Sequence, residues 1–116
     1  MLVVDDEPNA LSALASLLED KGFIVEVAAD GLAALPKVRE FAPDILVVDV
    51  EMPGLKGDGL VRKVREDHAQ LPVILMTGHG EQVVATARME LDAAYIGKPF
   101  GIDELVSAIR DALSTV

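Results

Sequence analysis

The chain has 116 residues, 51% of them apolar, with 20 acids against 10 bases for a net charge of −10, and no cysteine. That length supports one compact domain over residues 1–116 and not two. The charge repels nucleic acid and anionic lipid, and the missing thiols exclude disulfides and cysteine catalysis. No apolar run approaches the roughly 18 residues of a membrane span. Met1–Val4 pass straight into Asp5 and Asp6 without a basic leader or cleavage site, so a cytoplasmic protein is expected. So short a lead into Asp5 favours a piece of a longer chain.

Leu2–Val4 is the first short apolar run, and Leu11, Leu14, Leu17 and Leu18 follow at helical spacing, closed by Gly22 as a left-handed cap. Phe23–Val27 is the second run. Leu32, Leu35 and Val38 outline the next helix less cleanly. Pro36 falls inside it and costs about 3 kcal/mol in a regular interior, so this helix is expected to be kinked or to start late.

Pro43 leads into the third run, Ile45–Val48, after which Pro53 and Gly54 make a turn and Asp58 caps a helix carrying Leu60, Val61 and Val64. Pro72 leads into Val73–Met76, a fourth helix carries Val83, Val84 and Ala87, and Ala94–Ile96 is the fifth run. Leu105, Ala108, Ile109 and Leu113 mark the fifth helix. The five runs are rich in Val and Ile, as strands covered on both faces are. Their alternation with helices favours parallel strands with right-handed crossovers: an α/β fold, a doubly wound five-stranded sheet with helices on both faces.

In such a sheet chemistry collects at the carboxyl ends of the strands. Asp5 and Asp6 end the first strand, Asp49 ends the third, Thr77 follows the fourth and Lys98 follows the fifth. One acid after a strand is ordinarily a cap or a turn former; all five positions on one edge call for a common cause. Three converging carboxylates raise one another's pKa values unless a positive charge sits between them, and Mg²⁺, which takes a few carboxylates and keeps several waters, supplies it. Lys98 adds a point charge and Thr77 a hydroxyl donor, the groups that stabilise a transferring phosphoryl group, with an Asp49 oxygen available to receive it.

The stretches "LVVDDE" at 2–7, "DILVVDVEMPGLKG" at 44–57, "PVILMTGHG" at 72–80 and "YIGKPF" at 95–100 stand in the order and spacing of a receiver domain, and the whole chain resembles the receiver domains of two-component response regulators. The resemblance implies the strand order 2-1-3-4-5 of flavodoxin-like and chemotaxis-receiver-like folds. It implies that Asp49 accepts a phosphoryl group from a histidine kinase or phosphotransfer protein. Asp6 then ligates Mg²⁺ directly (Mn²⁺ serving as a substitute), Asp5 mainly through water, and Asp49 and the backbone carbonyl of Glu51 complete the ligands. Lys98 pairs with a phosphoryl oxygen, and the Lys98–Pro99 bond is cis in this family. Thr77 and Tyr95 form the switch. The fourth helix, fifth strand and fifth helix present the face that meets an effector domain or a second receiver. The implied role is a signalling domain that promotes only its own phosphotransfer and slow dephosphorylation, without direct nucleic-acid or membrane binding.

Glu51, two residues past the acceptor, and His79, two past Thr77, occupy the positions where the family tunes the lifetime of the acyl phosphate. Leu91-Asp92 stands where receivers commonly carry Gly-Ala. "MTGHG" is similar to the receivers of enhancer-binding regulators that work with the alternative sigma factor. Rival readings fit less of the pattern. A haloacid-dehalogenase-like phosphatase needs its nucleophile after the first strand and an Asp two residues on, whereas position 51 is Glu and the acid pair comes first. A flavodoxin-like module needs a phosphate-cradling loop where Asp5-Asp6-Glu7-Pro8 would repel FMN. A receiver that only binds partners, without being phosphorylated, differs from the main reading in chemistry alone.

Overall fold

The computed structural model describes residues 1–50, 57–78 and 92–114. Five strands, β1 (Leu2–Val4), β2 (Glu26–Ala28), β3 (Leu46–Asp49), β4 (Val73–Thr77) and β5 (Ala94–Gly97), form one sheet in the order β2-β1-β3-β4-β5, every neighbouring pair parallel. The described helices are α1 (Pro8–Asp20), α2 (Gly31–Phe41), α3 (Gly57–Asp67) and α4 (Ile102–Ser114), the last being the fifth of the predicted helices.

The strand alternation divides the core in two. Leu2, Val4, Leu46, Val48, Val73 and Leu75 face one way and pack with Ala34 and Val38 of α2 and Leu60, Val61 and Val64 of α3. Val3, Val47, Ile74 and Met76 face the other way and meet Leu11 and Leu18 of α1 and Leu105, Val106 and Ile109 of α4. The predicted three-layer α/β sandwich is therefore the observed one.

Local departures have local causes. The second strand begins at Glu26, not Phe23, because β1 offers only Leu2–Val4 as partners and these register with Glu26–Ala28. Phe23–Val25 instead climb from α1 through Gly22, which is left-handed as expected (φ +98°), and Phe23 N–H returns to the Leu18 carbonyl at 3.2 Å. The edge strands are not covered on both faces: β2 is half-buried at Glu26 and Val27, and Ala94 and Gly97 of β5 are exposed.

Helix α2 does not start late. It begins five residues before Pro36, because Asp30 caps it, accepting from Ala33 N–H at 2.7 Å. Pro36 leaves the Leu32 carbonyl without its helical partner, but Leu32 is exposed, where water can serve. Helix α3 begins at Gly57, so Asp58 lies one residue inside it and does not precede it as a cap. Pro53, Gly54 and the predicted fourth helix at Val83, Val84 and Ala87 lie outside the described residues.

Ala42 closes α2 in the left-handed region, at φ 49° and ψ 61°. A Cβ there is crowded, and glycine removes that crowding. Ala42→Gly is expected to raise the unfolding free energy by about 0.5–1 kcal/mol in urea denaturation; a lower midpoint would contradict the assignment.

Candidate functional site

The register brings the predicted residues to one edge. Val4 of β1 pairs with Val48 of β3, so Asp5 and Asp49 leave adjacent strands side by side. Asp5 N–H is held by the Ala28 carbonyl at 3.2 Å, and Val50 N–H by the Met76 carbonyl at 3.0 Å. On the other side Thr77 pairs with Gly97, and Lys98 N–H donates to the Thr77 carbonyl at 2.7 Å. Asp5, Asp49 and Thr77 are the buried polar residues among those described, at 6%, 4% and 4% exposure. Asp6 is exposed at the rim.

One carboxylate oxygen from each of Asp5, Asp6 and Asp49 lies within 4.8 Å of the others. Burial is the main cause that raises the pKa of Asp5, and the nearby Asp49 charge adds to it, while the Glu7 N–H bond to Asp5 Oδ1, at 3.0 Å, works against both. Lys98 Nζ reaches Asp49 Oδ1 at 3.0 Å. Lys98 offsets the Asp49 charge, and the three oxygen donors together could share a further cation. The donor set, oxygen only and partly open through Asp6, fits a hard divalent ion.

Other expectations divide. The Lys98–Pro99 bond is cis. Tyr95 is half-buried and packs beside the cluster beneath α2 and α3. Glu51, whose carbonyl is a predicted ligand, and His79 lie outside the described residues.

The sequence reading missed Glu7. Its side chain caps α1, accepting from Ala10 N–H at 2.7 Å, while its own N–H orients Asp5. Proline at the first helical position directly after it was the available signal.

A parallel sheet of this order with acids, a threonine and a lysine on its carboxyl edge is the architecture of a response-regulator receiver domain. Residues 1–110 match the response regulator receiver domain family, and the chain belongs to it. It is 34% identical over 119 residues to the nitrogen assimilation regulatory protein NtrX of Azorhizobium caulinodans, a match covering 100% of this chain and 26% of that protein. It is 35% identical over 115 residues to the transcriptional regulatory protein CreB of Escherichia coli K12, covering 98% of this chain and 50% of the relative. The chain thus spans a quarter to a half of the length of these relatives. The crystal structure of the receiver domain of NtrX from Brucella abortus superposes with a TM-score of 0.89 at 33% identity, covering 99% of this chain and 98% of that one. No helix among the described residues is long and apolar enough to cross a membrane.

Because the fold raises the Asp5 pKa above its ordinary 3.8, folding favours the protonated acid. That advantage is fully present below 3.8 and is lost as pH rises through the raised value. Asp5→Asn keeps an acceptor for Glu7 N–H and removes the charge. In metal-free buffer at pH 7 it is expected to be more stable than the parent, with the difference shrinking toward pH 4 in parallel thermal melts. A variant less stable at pH 7 would contradict this.

Proposed function

We propose that residues 1–116 form one receiver domain in which Asp49 accepts a phosphoryl group from a phosphohistidine on a histidine kinase or phosphotransfer protein. The observation that carries the reading is the buried Asp49 carboxylate held 3.0 Å from Lys98 Nζ and beside Asp5 and Asp6. An Asp49 oxygen attacks phosphorus, the donor's nitrogen–phosphorus bond breaks, and an acyl phosphate remains for water to hydrolyse later. Lys98 then exchanges its pairing with the carboxylate for one with a phosphoryl oxygen, and the Thr77 hydroxyl donates to another.

Asp5, Asp6, Asp49 and the Glu51 carbonyl would hold Mg²⁺, or Mn²⁺ in its place, which when bound neutralises phosphoryl charge. The domain is a signalling module that promotes only its own phosphotransfer and slow dephosphorylation, with Glu51 and His79 tuning the lifetime. Thr77 and Tyr95 couple the new charge to the face of β5, α4 and the predicted fourth helix. That face engages an effector domain or a second receiver in the cytoplasm, and this domain itself binds neither nucleic acid nor membrane. The relatives named as transcriptional regulators support an effector domain outside this chain.

Incubation with acetyl phosphate and Mg²⁺ is expected to add the mass of one phosphoryl group in acid-labile linkage. Asp49→Asn removes it and Lys98→Ala slows its formation about 10- to 100-fold. An adduct that survives Asp49→Asn sinks the assignment of the acceptor, and none in the parent sinks the proposal and leaves a receiver that only binds partners. Decay of the phosphorylated protein tests the tuning pair: Glu51→Ala and His79→Ala are expected to change the rate severalfold, and unchanged rates end that assignment.

A further inference from the structure

Arg65, in the last turn of α3, sends its guanidinium across three segments. Nη1 donates to the backbone carbonyls of His68, at 3.2 Å, and Leu71, and Nη2 to that of Asp92 at 3.1 Å. One planar group therefore joins the end of α3, the entry to β4 and the entry to β5. Asp92 is left-handed, with φ 49°, a conformation that a residue with a Cβ adopts less freely than glycine. A cleft of about 370 Å³, lined by Arg65, Gln70, Pro72, Asp92 and Ala94 among others, opens at this end of the strand.

β5 has reason to need such a hold. It is an edge strand, paired with β4 alone, with both of its terminal residues exposed. It also carries Tyr95 and delivers Lys98 to Asp49. A guanidinium offers its donors in a fixed fork, which a lysine ammonium cannot reproduce.

We propose that Arg65 is a positioning residue that anchors the amino end of β5 through the carbonyl of left-handed Asp92, and so fixes where Tyr95 and Lys98 come to rest. The structural part stands by itself; the part that concerns Lys98 rests on phosphorylation of Asp49.

Amide exchange followed by NMR on the 116-residue chain tests the anchor. Arg65→Ala and Arg65→Lys are each expected to speed exchange at Tyr95 and Lys98 by about tenfold or more while β1 and β3 keep their protection. Both are also expected to change the emission intensity of Tyr95, the one tyrosine in a chain without tryptophan. In an Asp92→Gly background, where glycine takes the positive φ freely, the same Arg65 substitutions are expected to do much less. Exchange that rises evenly through the sheet, full protection in Arg65→Lys, or an undiminished loss beside Asp92→Gly would each overturn the anchor. Should Arg65→Ala not fold, Arg65→Lys alone and with Asp92→Gly carries the same comparison. Phosphorylation by acetyl phosphate is expected to slow about fivefold in Arg65→Lys; an unchanged rate with loosened β5 overturns the link to Lys98. A parent that takes up no phosphate sinks the proposed function and leaves the exchange result to decide the anchor.

Discussion

Like charge crowded at one sheet edge is the constraint from which the other features follow. Three carboxylate oxygens within 4.8 Å of one another, two of them on buried residues, repel in a setting where water screens poorly. Loops alone would let them drift apart. Here Asp5 and Asp49 are carried by β1 and β3, strands with neighbours on both sides, and both strands are buried throughout. The apolar interior is the restraint that keeps the acids together, and Lys98 from β5 offsets part of the repulsion.

The sheet distributes its roles by position. Its centre, β1 and β3, leads to the acids; its edge, β5, carries Tyr95 and leads to Lys98. An edge strand with half its length exposed can shift at lower cost than a central one, since it breaks one ladder and uncovers less apolar surface. Thr77 stands between the two regimes, buried like the acids yet hydrogen-bonded through its carbonyl to the Lys98 N–H.

Most of this was legible in the chain because short runs rich in Val and Ile and the residues that end them are local signals. Four of the five strands start within one residue of where their apolar runs begin, and all five edge residues fall where the runs end. β2 was misjudged at its start because its length is set by β1, a partner about 20 residues away in sequence. α2 does not start late, one of the two outcomes Pro36 suggests, because Asp30 caps the helix at its start. Arg65 was invisible for a stronger reason: its carbonyl partner Asp92 lies 27 residues on, and nothing in "VRKVRED" distinguishes it from a solvated helix-end cation. Belonging to a known family supplied the chemistry of the edge; composition and spacing alone went only as far as a metal and a phosphoryl group.

The division of the core into two sets, with Leu46 and Val48 facing one way and Val47 the other, limits how this chain can change in length. One residue gained or lost inside β3 would turn the β3 residues beyond it, Asp49 included, to the opposite side of the sheet. Substitutions within each layer can be absorbed by repacking, but frame shifts inside strands cannot. Length variation is therefore confined to the connections, and the spacing from strand to acid becomes the most rigid quantity in the molecule, more so than the identity of any single apolar residue.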